Sequence, residues 1–361
     1  MGAERVQVTE HCYVYGCLPA TGGAEKEPPI CLLAHMDTVE EVSGENVKPI
    51  VHESYSGGKI VLPSGDTLDP AFDHDLALAA KNRETVITSD GSTLLGADDK
   101  AGVAAIMGAV AYFHSHPDFP HRKIEVVFSP DEETGHGMDN VPLDLIESKS
   151  AYTVDGGHIG ELEVECFNAC KSEIVFKGKS KHTGTARPDM VNAILMATNF
   201  LQNLPHGQLP ETTDGKEGFF APMWIEGTVE EAKVTLFLRD FSSEGMERRK
   251  SLVEAIARTT ELSLGGKAVV THTFQYANMK SELDKNPRVV ERLVSAYRAA
   301  GVEPKFVPIR GGTDGSRLTE MGIPTPNVFT GGHNYHSRTE WCSLEQMAAA
   351  EKVLIALSGL E

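Results

Sequence analysis

Four apolar segments that run into polar or glycine-bearing residues restrict the folds open to this chain more than any other feature of its sequence. Short apolar runs bounded by turn residues are typical of buried strands, and helix-like runs such as VAAIMGAVAYF (103–113) lie between them. Strands that alternate with helices predict an α/β fold, in which ligand-binding groups collect at the carboxyl edge of the sheet. The four segments are PICLLAHMDTV (29–39), ETVITSDGSTLLGADDKAG (84–102), KIEVVFSPDEETG (123–135) and SAYTVDGG (150–157).

The middle of the chain has a different pattern, which indicates a second domain. Amphipathic strands such as KSEIVFKG (171–178) and AKVTLFLRDF (232–241) accompany two helical segments, 189–204 and 246–262. This combination predicts a small α+β layer structure. The final part returns to strands followed by glycine-rich loops. We therefore predict one domain formed by residues 1–166 and 281–361, interrupted by an inserted domain at residues 167–280.

Charge and cysteine usage exclude several classes of protein. The net charge of −19 and the pI near 5.2 argue against nucleic acid or an anionic membrane surface as a partner, because the field of the protein would repel polyanions. No apolar run approaches the roughly 18 residues of a membrane span, and the opening residues lack the apolar segment of a secretory signal. Scattered cysteines indicate reduced buried thiols in the cytoplasm, although Cys166 and Cys170 are spaced like one half of a soft-metal site.

Metal-ligand residue types lie at the predicted strand ends and in one late loop. A single histidine or aspartate at such a position more often caps a helix or forms a hydrogen bond, but here several are expected at one edge of one sheet. Imidazoles and carboxylates suit two zinc ions bridged by one carboxylate. Three ligating carboxylates and a hydroxide would neutralise two Zn²⁺ ions and leave one acid free as a general base. The residues are His35 with Asp37, Asp98 with Asp99, Glu132 with Glu133, Asp155, and His336.

Seven segments, in order along nearly the whole chain, resemble the peptidase T family of tripeptide aminopeptidases, within the wider clan of di-zinc exopeptidases and amidohydrolases. The resemblance implies a mixed-sheet α/β catalytic domain, an inserted α+β lid or dimerisation domain, and a homodimer that hydrolyses short peptides. The segments are HMDTV (35–39), LLGADDKAG (94–102), PDEETGHG (130–137), TVDGG (153–157), HTGTA (182–186), IRGGTDG (309–315) and FTGGHNYH (329–336).

The resemblance also implies a role for each matched residue. Asp37 would orient the imidazole of His35, as a ligating histidine requires, and Glu132 would be the general base. His333 is expected to be an ordinary loop residue, because Glu340 follows His336 at the spacing of the family. The implied ligands of the two zinc ions per subunit are His35, Asp98 and Asp155 for one, and Asp98, Glu133 and His336 for the other.

Four further residues are candidates for contacting the peptide. His182 would stabilise the oxyanion of the tetrahedral intermediate, unless it is only a turn histidine beside a glycine. Arg310 and Arg239 could each bind the C-terminal carboxylate with two parallel hydrogen bonds, although Arg239 could equally be paired with Asp240. Asn192 is either a substrate contact or a helix-face amide.

Two alternatives to a tripeptide aminopeptidase stay open at this stage. The first keeps the metals and changes the substrate to a dipeptide, an N-acyl amino acid or an N-carbamoyl compound. The second is an inactive metal- or peptide-binding homologue, since the N-terminal helices usual in the family are expected to be missing. Of the charged residues next to Asp98, we expect Asp99 to cap the following helix and Lys100 to pair with a neighbouring acid.

Overall fold

The structure is a computed structural model that describes residues 1–360. The strands are β1 Glu4–Val8, β2 Val14–Leu18, β3 Ile30–His35, β4 Ile50–His52, β5 Ile60–Val61, β6 Thr67–Leu68, β7 Val86–Thr88, β8 Ile124–Ser129, β9 Ala151–Gly156, β10 Glu161–Cys166, β11 Asn168–Lys177, β12 Phe219–Gly227, β13 Glu231–Asp240, β14 Lys267–Tyr276, β15 Lys305–Ile309, β16 Asn327–Phe329, β17 Gly332–His333 and β18 Trp341–Ser343. The α-helices are α1 His74–Asn82, α2 Ala97–Ser115, α3 Ala193–Gln202, α4 Ser243–Leu264, α5 Lys280–Lys285, α6 Pro287–Ala299, α7 Asp314–Glu320 and α8 Leu344–Ser358.

The chain divides into two compact units. The first contains Met1–Val164, Met279–Val307 and the chain from Thr313 onward, and the second contains Glu165–Asn278 with Pro308–Gly312. The sequence predicts residues 308–312 as part of the domain that includes 281–361, whereas here they pack with the second unit. The reason is visible at Arg310, whose guanidinium donates hydrogen bonds to the carbonyl oxygens of Gly215 and Glu217. The functions predicted for the two domains stay predictions.

The first unit is built on a mixed eight-stranded sheet, so the predicted α/β class is confirmed. The strand order is β1-β2-β8-β3-β9-β16-β10-β15. Strands β8, β3, β9 and β16 run parallel, while β1, β2 and β10 pair antiparallel with their neighbours. The carboxyl ends of the four parallel strands therefore meet at one edge of the sheet, as predicted for segments 29–39, 123–135 and 150–157. The prediction is wrong for segment 84–102, because its strand β7 lies in a separate four-stranded sheet in the order β17-β18-β7-β4.

Strand β3 shows why the sheet is covered on both faces. All of its residues are buried, and successive side chains point to opposite faces. Leu32 packs in a core with residues of α2, α6 and α8, whereas Leu33 packs in a second core with Leu318 of α7. Continuous apolar strands of this kind are typical of the centre of an α/β sheet.

A contact between backbones positions the start of α2. A side chain on Gly102 would place its Cβ 1.8 Å from the carbonyl oxygen of Val154 in β9, so only glycine permits this approach. The helix therefore lies directly against β9, with Asp98 in its first turn. Asp98 and Asp99 have non-helical backbone angles and are joined by a cis peptide bond.

The second unit contains an antiparallel four-stranded sheet in the order β12-β13-β11-β14. Buried residues of α3 and α4 pack on it, as with Phe200 and Val253 against Phe176 of β11. The predicted α+β character of the middle segment is thus present. In neither unit does a helix within residues 1–360 have the length and apolarity needed to cross a membrane.

Candidate metal centre

Most of the predicted ligands lie at the carboxyl edge of the eight-stranded sheet. His35 is the last residue of β3 and Asp155 lies near the end of β9, while Glu133 follows β8. Asp98 enters from the start of α2, and His336 lies between β17 and β18. These residues come from five separate stretches of the chain, and the fold brings them together.

Asp98 stands between two imidazoles and contacts both. Its Oδ1 lies 2.8 Å from Nε2 of His35, and its Oδ2 lies 3.1 Å from Nε2 of His336. Nε2 of His35 also lies 3.5 Å from Oδ1 of Asp155, and Nε2 of His336 lies 3.2 Å from Oε2 of Glu133. The donor atoms form two groups that share Asp98, with the atoms of each group within 4.8 Å of one another.

Asp37 contacts three members of the site at once. Its Oδ1 lies 3.2 Å from Nδ1 of His35, on the side of the ring opposite Asp98. The same carboxylate accepts hydrogen bonds from the backbone N–H groups of Glu132 at 3.2 Å and Glu133 at 3.0 Å. Asp37 therefore lies against the imidazole of His35 and fixes the segment that carries both glutamates.

Glu340 holds the segment that carries Asp98, a role that sequence analysis missed. Its buried carboxylate accepts hydrogen bonds from the backbone N–H groups of Leu95, Gly96 and Asp98 at 2.7 to 3.0 Å. The sequence offered one signal, the fixed spacing from His336, but no indication of the partners. The loop that carries His336 and Glu340 thus contacts both the carboxylate of Asp98 and the backbone that positions it.

The two charged residues that follow Asp98 form hydrogen bonds with backbone groups near the start of α2. Asp99 is buried, and its carboxylate accepts hydrogen bonds from the backbone N–H groups of Gly102 and His35, in agreement with a capping role. Lys100 does not pair with an acid as predicted, because its Nζ donates to the carbonyl oxygen of Met36 at 3.0 Å. That carbonyl lies in the segment between His35 and Asp37.

Asp155 is supported from β16 and β10. Its backbone N–H donates to Oδ1 of Asn327, and Nδ2 of Asn327 donates to Glu163 at 2.6 Å. Burial raises the pKa of Glu163 to about 8. A protonated carboxyl in this position avoids placing another full charge beside the metal-ligand groups.

The electrostatic field of the centre favours positive charge. Burial lowers the pKa of His35, but Asp155 and the other neighbouring carboxylates outweigh burial and raise it. Contacts with Asp98 and Glu133 raise the pKa of His336 to about 10. Burial raises the pKa of Asp98, but both imidazoles outweigh this effect and lower it. A site that holds its histidines in the cationic form has the field that metal cations require.

Glu132 differs from the other carboxylates in belonging to neither group of donor atoms. Burial, and then the charge of Asp155, raise its pKa well above that of an exposed glutamate. The residue before it, Asp131, has a left-handed backbone with φ of 63°, and His336 has φ of 58°. Such conformations are uncommon for residues other than glycine and cluster at functional sites.

The donor set fits two zinc ions. Each group offers imidazole nitrogen and carboxylate oxygen, which zinc accepts, and the shared carboxylate has one oxygen directed to each histidine. Exposure rises across the site, from 2% of the His35 side chain to 50% of the His336 side chain. The centre is therefore closed at His35 and open to solvent at His336.

Arg310, a predicted substrate contact, lies in the second unit and donates hydrogen bonds to other residues of that unit. Its guanidinium donates to the carbonyl oxygens of Gly215, Glu217 and Thr213, and to the hydroxyl of Thr213 at 3.0 Å. It also lies over the ring of Phe167. Among the ion pairs of residues 1–360 none includes Arg310, so its charge has no carboxylate partner there.

The other candidates of the second unit also make local contacts. Arg239 donates to Leu238 and Gln275, whereas Asp240 pairs with Arg249. Asn192 is the N-cap of α3, and its Oδ1 accepts from the N–H of Ile194. The alternative pairing of Arg239 with Asp240 is therefore wrong.

His182 is exposed in a short 3₁₀ turn of the second unit. Its Nδ1 accepts a hydrogen bond from the backbone N–H of Gly184 at 3.1 Å. In a neutral imidazole this contact leaves the proton on Nε2. The ring can therefore donate a hydrogen bond outward.

The surroundings of His333 differ from those that the sequence predicts. The expectation of an ordinary loop residue is wrong, because His333 lies in β17, is buried, and stacks on Trp341 with ring centroids 4.0 Å apart. The cause is the pairing of His333 with Trp341 across β17 and β18. Two such short strands leave too weak a pattern to recognise in the sequence.

Comparisons with known proteins agree with the motifs. The family described as peptidase family M20/M25/M40 matches residues 87–358 of the chain. Peptidase T of Clostridium perfringens strain 13 is 43% identical over 356 residues, which is 98% of this chain and 87% of that protein. These findings confirm the resemblance to the peptidase T family.

Solved structures give the same result. Aminopeptidase PepT from Bacillus cereus ATCC 10987 has a TM-score of 0.76 and 25% identity, over 96% of this chain and 83% of that one. A tripeptidase from Staphylococcus aureus has a TM-score of 0.79 at 22% identity, over 99% of this chain and 88% of that one. The second comparison supports the fold.

Proposed function

This chain belongs to peptidase family M20/M25/M40, and we propose that it is a metal-dependent aminopeptidase that removes the N-terminal residue from tripeptides. The observation that carries the proposal is Asp98, whose two carboxylate oxygens contact the imidazoles of His35 and His336. A carboxylate shared in this way is suited to two cations a few ångströms apart. The peptidase T relative and the PepT neighbour support the tripeptide as substrate.

For the cofactor we propose two zinc ions per chain. The ligand sets are those that the sequence predicts: His35, Asp98 and Asp155 for one ion, and Asp98, Glu133 and His336 for the other. When bound, zinc supplies Lewis acidity, which polarises a peptide carbonyl and eases the loss of a proton from water. The three ligand carboxylates offset most of the charge that two Zn²⁺ ions bring.

Glu132 is the group that we assign to proton transfer. Its raised pKa makes the carboxylate a better proton acceptor than an exposed glutamate, and its position beside Glu133 places it next to a ligand without being one. It would take a proton from the attacking water and return it to the leaving amine. Asp37 holds the Glu132 backbone and the His35 ring in place for this step.

Four residues of the second unit are proposed to contact the peptide. The Nε2–H of His182 is suited to donate to a carbonyl oxygen as negative charge develops on it. Arg310, with no carboxylate partner among the described residues, is suited to attract the C-terminal carboxylate. Arg239 and Asn192 are weaker proposals, because local hydrogen bonds already explain both.

We propose a cytoplasmic homodimer that pairs through the second unit. Five of the six cysteines are buried, as the reduced thiols of a reducing compartment commonly are. Strand β12 is an edge strand on which Met223, Trp224 and Ile225 are each more than half exposed. An exposed apolar edge strand is a typical pairing surface. Light scattering on the wild type and Trp224→Lys would test this proposal, with a dimer expected only for the wild type.

The test of the function is a tripeptide hydrolysis assay with three preparations of the purified chain. The preparations are the zinc-loaded protein, the protein after chelation and dialysis, and the dialysed protein with zinc restored. We expect activity in the first, its loss in the second and its return in the third. Full activity after metal analysis has shown complete removal of the ions would overturn the proposal.

A matched pair of substrates separates the alternatives. A free tripeptide and its N-acetylated form differ only at the amine, which an aminopeptidase must recognise. Preference for the acetylated form would favour an N-acyl amino-acid amidohydrolase, and preference for dipeptides over tripeptides a dipeptidase. No turnover in a folded, zinc-loaded sample would favour an inactive binding protein.

A further inference from the structure

A second cluster of metal-ligand residues lies in the first unit and takes no part in the centre described above. It consists of Asp75 in the first turn of α1, His158 just after β9, and His333 in β17. Nδ1 of His158 lies 3.6 Å from Oδ1 of Asp75, and Nδ1 of His333 lies 3.5 Å from Oδ2 of the same carboxylate. One donor atom from each residue lies within 4.8 Å of the other two.

Both contacts are longer than hydrogen bonds and reach the two different oxygens of one carboxylate, which leaves space for a cation among the three side chains. Nitrogen and oxygen atoms joined by a hydrogen bond lie about 2.7–3.2 Å apart. Ligand atoms of a tetrahedral zinc ion lie about 3.3–3.6 Å apart, as bond lengths of about 2.0–2.2 Å require. Nδ1 of His158 is moreover buried without a hydrogen-bond partner. The cluster therefore has an unsatisfied ligand atom directed at a carboxylate.

The hydrogen bonds of Gln346 determine which nitrogen of His333 carries its proton. Oε1 of Gln346 accepts from the backbone N–H of Ile159, and its Nε2 donates to Glu84 at 3.0 Å. The amide oxygen is therefore the atom that faces Nε2 of His333 at 3.3 Å, so Nε2 is the donor. In the neutral ring Nδ1 then directs a lone pair at Asp75. Two electron-rich atoms facing each other require a cation between them, either a proton or a metal ion.

Packing holds the three residues in place. His333 stacks on Trp341 with an angle of 15° between the rings, and the indole N–H of Trp341 donates to Asp73 at 3.1 Å. Asp73 is the N-cap of α1, the helix that carries Asp75. A ligand set with fixed rings and a fixed carboxylate is the kind that binds a metal ion without large rearrangement.

We propose that Asp75, His158 and His333 bind one divalent transition-metal ion, such as zinc, at a third metal site. Two imidazoles and one carboxylate are a suitable set for zinc, and the 40% exposure of the Asp75 side chain leaves room for a water molecule as fourth ligand. The ion would join α1 to two segments of the main centre. His158 lies three residues after Asp155, and His333 lies three residues before His336. The ion is thus a structural brace for both segments.

Metal counting on the intact protein tests the site. The wild type, Asp75→Asn, His158→Gln and the control Asp144→Asn, an exposed aspartate, are dialysed against the same micromolar free zinc and analysed by mass spectrometry under native conditions. We expect each of the two site variants to bind one zinc ion fewer than the wild type, and the control to match the wild type. Circular dichroism shows whether each variant is folded. If one site variant does not fold, the other still tests the proposal.

Crystals soaked in zinc locate the ion. An anomalous peak about 2.0–2.2 Å from Nδ1 of His158, Nδ1 of His333 and a carboxylate oxygen of Asp75 is expected in the wild type. Equal zinc counts in the wild type and both site variants, or no peak at this place, would overturn the proposal. Protons, and not a metal ion, would then lie between the Asp75 carboxylate and the two imidazoles. Neither result depends on peptide hydrolysis or on the ions at Asp98, so failure here is distinct from failure of the proposed function.

Discussion

The candidate residues of the first unit face one another, whereas those of the second unit face their own backbone. Asp98 contacts two imidazoles, and Asp37 reaches both His35 and the segment of the two glutamates. Arg310, by contrast, donates to carbonyl oxygens of its own unit, and Asn192 caps its own helix. Ionisable side chains brought together without a structural need for them indicate a site more strongly than side chains that satisfy local groups.

The two kinds of residue differ in how many structural roles they commonly have. A metal site needs several carboxylates and imidazoles at one place, and few structural roles require such a set. An arginine near carbonyl oxygens or an asparagine at a helix start has common structural roles. Substitutions in each unit test whether the two units differ in function as they differ in contacts.

The largest effect is expected for Asp98→Asn. The substitution removes the charge that both histidines contact, so both zinc ions should be lost together. Losing an outer partner of a ligand costs roughly 10–100-fold in metal affinity, and losing the shared ligand should cost more. Metal analysis and tripeptide turnover measure the result, with Asp144→Asn as the control. Retention of two ions would contradict the bridging role.

Glu132→Gln should separate proton transfer from metal binding. We expect kcat to fall by about 10²–10⁴-fold, the usual contribution of general acid–base catalysis, while both ions stay bound. Measured kcat, KM and zinc content give the answer together. Turnover close to that of the wild type with zinc bound would rule out the assignment.

Arg310→Gln tests the second unit. Loss of a charge-assisted hydrogen bond, worth about 1.5–3 kcal/mol, should raise KM for a free tripeptide at least about ten-fold but leave KM for its C-terminal amide nearly unchanged. Arg258→Gln, an exposed helix arginine of the same unit, is the matched control. An equal change in KM for both substrates would contradict a contact with the carboxylate. The role of Arg310 would then be to hold residues 213–217, which it already contacts.

The smallest effect is expected for Glu163→Gln, measured as a melting temperature between pH 5 and pH 8. Burial raises the pKa of Glu163 to about 8 in the folded chain, so the folded state keeps a proton that the unfolded state releases above about pH 4.5. The stability of the wild type therefore falls as the pH rises through this range, and the variant lacks this loss. We expect the variant to gain about 2–4 °C relative to the wild type from pH 5 to pH 8. A constant difference across the range would contradict the raised pKa.

The α/β class and the edge of the sheet could be predicted because each central strand is apolar and ends in polar residues. The polar residues after β3 and β8 predict that His35 and Glu133 lie at the same edge. The assignment of separate roles to Glu132 and Glu133, however, depended on the family resemblance. Two adjacent glutamates cannot be told apart by residue type or by sequence pattern, so only their surroundings in the fold distinguish them.

Contacts between distant segments could not be predicted. Glu340 is close in sequence to His336, but its carboxylate accepts hydrogen bonds from residues 95–98. His333 is buried through a stacking partner eight residues away, and its link to Asp75 depends on where α1 packs. The sequence pattern shows local periodicity, whereas these roles depend on which elements become neighbours.

The contact of Gly102 with β9 also sets how close Asp98 lies to Asp155. A methyl group at this position would meet the Val154 carbonyl oxygen and the Asp99 carboxylate, at 1.8 Å and 2.4 Å from its carbon. Relief of the clash would move the helix start, and with it Asp98, away from Asp155. The distance between these two carboxylates would then increase. A residue that binds nothing thus holds two ligand groups at the spacing of the centre.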